Sequence, residues 1–254
     1  MNAKLIISIA SLLMVILAPV IFLIFEKKKN KVKVRFWDVI VGIVVEFLFK
    51  YVLVNILINA LTFIPLFEGI LTNILGYLII YFLLTALSLI CGLYLVYRFY
   101  FGGNMNASSV VGITIGMCIA TILNTTLMAA ISNIIYLFQA SNGTFLTNLL
   151  AQVSESQALE IAARYESFGL NYYLYVGIIT VAMLASSYLT SSLFCKSTKD
   201  KGIKNYLIVF AAIVIYSAMY YFNDPTVMSF ANPLLLVFAG MQFIFAEINN
   251  RTLA

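Results

Sequence analysis

Residues 92–132 read GLYLVYRFYFGGNMNASSVVGITIGMCIATILNTTLMAAIS, and this stretch decides the fold. It joins the end of one long apolar segment, at Arg98, to most of a second through an aromatic and glycine-rich turn. Both segments extend beyond the quoted residues, so each reaches the roughly 20 apolar residues that a helix needs to cross a bilayer. Basic and aromatic residues between two such segments are typical of the membrane interface. The stretch therefore predicts two membrane-spanning helices joined at the membrane surface.

The composition of the whole chain assigns it to the membrane. Hydrophobic residues make up 63% of the 254 positions and charged residues only 10%, with a mean hydropathy of +1.03. So few charges cannot cover the surface of a soluble fold. The composition predicts an all-α, polytopic membrane helix bundle that forms a single integral domain over residues 1–254. Its main partner is then the lipid bilayer, and we expect no nucleic-acid partner.

Histidine and cysteine usage narrows the chemistry. The chain has no histidine, which removes the usual general base and the usual zinc ligand. Cys91, Cys118 and Cys195 are odd in number and lie within or at the end of apolar runs, so a disulfide framework or a thiolate metal site is not expected. The sequence thus predicts neither a metal nor a cofactor.

Polar breaks divide the chain into seven predicted spans. An amphipathic stretch at residues 145–165 lies between the fourth and the fifth span and is expected to form an extracytoplasmic helix outside the membrane core. The spans are predicted at residues 5–25, 39–63, 70–98, 108–138, 172–194, 205–222 and 230–248.

Basic residues predict the orientation of these spans. The first span is uncharged and is followed by six basic residues, the reverse of a signal peptide, so we expect a retained anchor. With the N-terminus outside and the C-terminus in the cytoplasm, 12 of the 15 basic residues fall on the cytoplasmic side of a multi-pass plasma-membrane protein. The loop at residues 27–35 is either a solvated charge run or a site for anionic lipid.

Glu46 and Lys50 in the second span are the first candidate site residues. They are four positions apart, with the acid first, so they face each other along one side of a helix. Ionisable groups at membrane depth are costly unless they are paired or wet. The pair is therefore either a structural contact that turns one helix face toward the bundle or a functional site.

The fourth span supplies the second candidate. Thr121 and Asn124 belong to a mildly polar helical face that either lines a cavity or packs against another helix. Together with Arg98 at the end of the third span, the predicted binding residues are Glu46, Lys50, Arg98, Thr121 and Asn124.

The order of the segments carries a family resemblance. An N-terminal anchor, a basic loop, a third span that ends at Arg98 and a fourth span with Gly112 and Gly116 follow one another. This order resembles the YhfC-type membrane peptidases, a branch related to the CPBP (Abi) intramembrane glutamic proteases. The resemblance covers nearly the whole chain but rests on pattern rather than on a strong motif. In that family the third helix carries a Glu-Glu pair followed by Arg, the fourth a Gly-x-Gly-His-Gly-x-x-Glu-like run, and the sixth a His.

The catalytic groups of that family do not carry over. The glutamate pair falls on Tyr94 and Leu95, the His and Glu of the fourth helix fall on Ile115 and Ile119, and the sixth span has no histidine. Attack by an activated water needs a carboxylate base and a group that polarises the carbonyl. The resemblance therefore implies a degenerate member, and we expect no enzymatic activity.

Two classes of function remain open from the sequence. The first is a pseudo-peptidase-like accessory or scaffold subunit, or an immunity-type protein, that binds another membrane protein, a peptide or a lipid. The second is a transporter, or a transporter subunit, in which the Glu46–Lys50 pair and the Thr121/Asn124 face line a cavity for a small substrate. Transporters usually show broken helices or internal repeats, and neither is clear here, so binding is the favoured hypothesis.

Overall fold

The computed structural model describes residues 2–200, 206–214 and 225–252, and every regular element in these ranges is a helix. Six of these helices are long and apolar enough to cross a membrane. The predicted all-α polytopic membrane bundle is therefore confirmed. The helices are α1 (Asn2–Lys29), α2 (Phe36–Thr62), α3 (Pro65–Leu71), α4 (Ile74–Tyr100), α5 (Ala107–Ser141), α6 (Phe145–Leu150), α7 (Glu155–Ser167), α8 (Leu170–Asp200), α9 (206–214) and α10 (Pro225–Arg251).

The predicted span at residues 205–222 falls only in part on described residues, which form α9. Helices α8 and α10 run parallel, because Asn232 Nδ2 donates to the Asn171 carbonyl near one end and Asn250 Nδ2 donates to the Tyr188 hydroxyl near the other. Helix α9 lies between these two parallel helices in the sequence.

Two predicted elements are divided by residues that cap helices. Helix α4 begins at Ile74, later than the predicted residue 70, because the Asn73 side chain accepts a hydrogen bond from the N–H of Leu75 at 2.9 Å. The predicted single helix at 145–165 is instead two helices, α6 and α7. Ser154 starts the second one with a capping box, in which its N–H donates to Gln157 Oε1 at 3.4 Å.

Helices α2 and α5 approach each other closely through glycines. A Cβ atom on Gly42 would lie 2.3 Å from the carbonyl oxygen of Ile113, and one on Gly116 would lie 2.1 Å from that of Val39. Only glycine allows this spacing, and small residues are the usual means by which membrane helices pack. The contact places the next turn of α2 against the middle of α5.

The two ends of the bundle differ in chemistry. We term the end where α1, α4, α8 and α10 terminate the basic end, since their last turns and the α1–α2 loop carry most of the lysines and arginines. At the opposite end, stacked aromatic rings join α5 and α7 (Tyr136 and Tyr165, 4.1 Å between centroids) and attach Phe168 to Tyr172 of α8 (3.8 Å). The connection formed by α6 and α7 is thereby fastened to the bundle.

Candidate functional site

Glu46 and Lys50 of α2 form an ion pair inside the bundle. Lys50 Nζ lies 2.5 Å from Glu46 Oε1, and the two side chains are 8% and 0% exposed. Thr121 Oγ1 on α5 donates a hydrogen bond to the same carboxylate oxygen at 3.0 Å. The structure thus brings together three of the five predicted site residues, and we term Glu46, Lys50 and Thr121 the central cluster.

The backbone around the central cluster departs from α-helical geometry. Val45–Leu53 of α2 is a π-helical segment, and so is Ile122–Thr126 of α5, directly after Thr121. A π turn is wider than an α turn, and such turns occur often at functional sites. The Phe49 carbonyl in the α2 segment accepts a hydrogen bond from Ser88 Oγ of α4 at 2.5 Å. The wide turn of α2 is therefore tied to α4 as well as to α5.

The two oxygens of the Glu46 carboxylate have unequal surroundings. Oε1 is contacted by both Lys50 and Thr121, whereas Oε2 is buried and accepts no hydrogen bond from the described residues. A buried carboxylate and its ammonium partner are costly to separate, because either charge alone would remain unpaired in an apolar interior. The geometry of the central cluster suits a contact that holds helices together.

The other two predicted site residues lie away from the central cluster. Arg98 is exposed near the end of α4, and Asn124 is exposed on the outer surface of α5. An unbroken α-helix would keep Asn124 on the side of Thr121, but the π turn that begins at Ile122 adds a residue to the turn and rotates the side chains that follow. Met128, from the same predicted face, is also turned outward, with 62% of its surface exposed. The five predicted residues therefore do not form one site.

A second polar cluster lies at the basic end and was not predicted from the sequence. Glu26 of α1 is fully buried, and its Oε2 accepts a hydrogen bond from Asn30 Nδ2 at 2.8 Å. The same amide nitrogen lies 3.2 Å from Glu247 Oε1 of α10. The Tyr188 hydroxyl of α8 lies 3.3 Å from one oxygen of each carboxylate. We term Glu26, Asn30, Tyr188 and Glu247 the basic-end cluster, and it joins α1, α8 and α10.

The positive charges near this cluster are paired with Glu247. Lys29 Nζ and Arg251 Nε each lie 3.1 Å from Glu247 Oε1, whereas the hydrogen-bond donors to Glu26 are the neutral Asn30 and Tyr188. The side chains of Lys29 and Glu247 are 39% and 13% exposed. This cluster is therefore partly exposed at Glu247, and Lys29 beside it is more so, whereas the central cluster is buried.

A cavity of about 460 Å³ opens beside the basic-end cluster. Its walls are mainly apolar side chains of α1, α8 and α10, and Glu26, Lys29, Tyr188 and Glu247 supply its polar groups. Small-molecule sites are usually cavities of this size class, with apolar walls and a few convergent polar groups. The shape and chemistry suit a ligand with an apolar body and a polar head.

The sequence carries only a weak signal for the basic-end cluster. Glu26 directly precedes three lysines and belongs by composition to the basic loop, and Glu247 lies at the far end of the chain. One usable signal is that both acids lie near the C-terminal ends of spans, where the helix dipole disfavours negative charge. Their meeting depends on the packing of both α1 and α10 against α8, which no local spacing indicates.

Neither cluster has the composition of a metal site. Over the described residues there is no group of three or more His, Cys, Asp or Glu side chains placed to hold a metal ion. Cys91, Cys118 and Cys195 are free thiols.

Comparisons with known proteins find no match: no protein-family model, no curated protein and no solved structure matches the chain. The geometry of the two clusters is therefore the basis for a functional proposal.

Proposed function

We propose that the protein is a non-catalytic membrane protein that binds an amphiphilic molecule, such as a lipid, in the cavity between α1, α8 and α10. The observation that carries this proposal is the cavity itself, with apolar walls and the partly exposed Lys29 and Glu247 beside it. The apolar part of the ligand packs against residues such as Ala18 and Phe22, and its head reaches Lys29 and Glu247. Because lipid tails are already in an apolar medium, contacts to the head decide which amphiphile is retained.

The arrangement of the carboxylates supports binding rather than catalysis. Glu46 is sealed and paired with Lys50, and Glu26 already accepts hydrogen bonds from Asn30 and Tyr188. The chain also has isoleucine at 115 and 119, where the peptidase family that it resembles places its histidine and glutamate. A degenerate relative of those peptidases is the identity that we propose on this basis.

Native mass spectrometry of the protein, purified in a mild detergent, tests the cavity. Ala18→Trp places a large side chain into the cavity from its wall, and Val20→Trp places the same side chain on the same helix at a position that does not line the cavity and is 47% exposed. We expect the unsubstituted protein and Val20→Trp to retain a co-purified amphiphile and Ala18→Trp to lose it. Equal retention by both variants, with both folded, would contradict the proposal.

A separate observation supports an accessory role with another membrane protein. Asn124 is exposed near the middle of the 35-residue helix α5, next to the exposed Leu123 and Met128. Lipid tails cannot hydrogen-bond an amide at this depth, whereas a polar side chain of a second transmembrane helix can. We propose that this face of α5 docks one helix of a different membrane protein.

Photocrosslinking in native membranes tests the docking face. A benzoylphenylalanine at position 128 is expected to give one defined adduct, and Asn124→Leu is expected to weaken it, while the same probe at position 236 on the exposed face of α10 gives none. An adduct with the mass of two copies of this chain, or an adduct unaffected by Asn124→Leu, would contradict the proposal.

The plasma membrane, with the basic end in the cytoplasm, is the location that we propose. It is supported by the concentration of lysine and arginine at that end of the bundle. A single cysteine placed in the α1–α2 loop tests this orientation when intact cells are treated with a membrane-impermeant thiol reagent. Labelling of that cysteine would contradict the proposed orientation.

A further inference from the structure

A second cavity, of about 470 Å³, lies between the end of α1, the α1–α2 loop and the start of α2. Lys27 and Lys33 line it together with apolar side chains, among them Leu23, Phe36 and Val39. The loop reverses at Lys31, whose φ of 51° lies in the left-handed region, and Lys33 returns to the same cavity as Lys27 of α1. Two lysines from separate segments thus line one cavity whose other walls are apolar.

The positive charge of this cavity is not neutralised by the protein. Among the described residues, neither Lys27 nor Lys33 forms an ion pair. The acids closest to them in sequence are engaged elsewhere, since Glu26 is bonded to Asn30 and Tyr188, and Asp38 is buried and accepts a hydrogen bond from the Tyr100 hydroxyl at 3.1 Å. The acids are therefore turned into the bundle and these two lysines are turned out of it.

Exposed aromatic residues indicate the depth of the cavity in the membrane. Phe36 and Trp37 at the start of α2 are 71% and 65% exposed, and aromatic side chains of this kind concentrate at the level of the lipid headgroups. Basic pockets between membrane helices at this level are suited to anionic headgroups. A free anion would need only the lysines, whereas an acyl chain also uses the apolar wall.

We propose that this cavity binds an anionic phospholipid, with its phosphate between Lys27 and Lys33 and the start of one acyl chain against Leu23, Phe36 and Val39. The site is separate from the cavity beside the basic-end cluster, because Phe22, Glu26 and Lys29 line that cavity from another face of α1. The two proposals therefore succeed or fail independently.

The test uses nanodiscs made of equal amounts of phosphatidylcholine and phosphatidylglycerol, with the lipids that remain bound counted by native mass spectrometry. The double variant Lys27→Gln/Lys33→Gln removes the two lining charges. The matched control Lys28→Gln/Lys31→Gln removes two charges from the same segment at exposed positions that do not line the cavity. We expect one retained phosphatidylglycerol in the unsubstituted protein and in the control, and about thirtyfold weaker retention in the lining variant.

Three outcomes would overturn the proposal. One is equal loss in the two double variants, which would reduce the effect to general attraction between a basic loop and an anionic surface. Another is an unsubstituted protein that shows no preference for phosphatidylglycerol. The third is displacement of the bound lipid by inorganic phosphate as effectively as by added phosphatidylglycerol, which would make the site one for free phosphate. Circular dichroism on each variant confirms that the bundle is folded.

Discussion

The central cluster and the basic-end cluster both contain carboxylates held by hydrogen bonds and ion pairs, but they differ in how far they are shielded from their surroundings. Glu46 and Lys50 neutralise each other on one helix, and Thr121 of a second helix completes a sealed contact. Glu26 and Glu247 come from two helices, and a cavity reaches both of them. A sealed ion pair is costly to disrupt because either charge alone would stay buried without a partner, whereas polar groups beside a cavity can bind a ligand. We therefore interpret the first cluster as structural and the second as the binding region.

Removal of one partner of the central ion pair is expected to have the largest effect. Glu46→Leu or Lys50→Leu alone should lower the free energy of unfolding by about 3–5 kcal/mol, because an unpaired charge remains buried, while the double variant should recover most of the loss. Unfolding in mixed micelles by increasing SDS measures these differences, and Glu68→Leu at an exposed position of α3 is the control. Full tolerance of both single changes would remove the structural interpretation.

The glycine contact that seals the central cluster is expected to come next. Gly116→Ala would place a methyl group 2.1 Å from the Val39 carbonyl oxygen, so α2 and α5 have to separate, at a cost of about 1–3 kcal/mol in the same unfolding assay. Gly240→Ala on α10 is the matched control, since its added Cβ meets no atom within 4 Å. A similar stability for the two variants would show that close approach of α2 and α5 is not required.

A smaller effect is expected at the basic-end cluster. Glu247→Gln weakens the contacts to Lys29 and Arg251, but these side chains are 39% and 60% exposed and can turn toward water, so the loss should be about 1 kcal/mol or less. The same variant should also retain less of the bound amphiphile than the unsubstituted protein does. A loss of stability as large as that of Lys50→Leu would contradict the claim that the basic-end cluster contributes less to stability than the central cluster.

The smallest effect is expected for the hydrogen bond that crosses from α5 to the ion pair. Thr121→Val keeps the shape of the side chain and removes the donor to Glu46, which should cost about 0.6 kcal/mol in a membrane protein. Thr125→Val is the control, because the Thr125 hydroxyl donates to the Thr121 carbonyl within α5 itself. A loss for Thr121→Val no greater than that of the control would mean that the Glu46–Lys50 pair does not depend on α5.

The sequence allowed the prediction of those features that depend on residues close together along the chain. The membrane helices follow from the length of apolar runs, and the meeting of Glu46 with Lys50 follows from a spacing of four residues on one helix. The outward position of Asn124 was missed because the prediction assumed an unbroken α-helix, whereas a π turn follows Thr121.

The basic-end cluster was missed for a different physical reason. Glu26 and Glu247 are brought together by the packing of α1, α8 and α10. The spacing of Glu247 and Arg251, four residues apart, predicts only a pair at the end of one helix and gives no sign of Glu26. The cavity likewise depends on side chains from three helices. Such a site becomes visible only when the tertiary packing is known.

The retention of amphiphile by two variants, measured side by side by native mass spectrometry, tests the central claim most directly. Glu46→Leu/Lys50→Leu changes the sealed pair and leaves the cavity intact, while Ala18→Trp fills the cavity and leaves the pair intact. We predict that the first variant keeps the bound molecule and that the second loses it. Loss in the first variant together with retention in the second would contradict the account and place the binding site at Glu46 and Lys50.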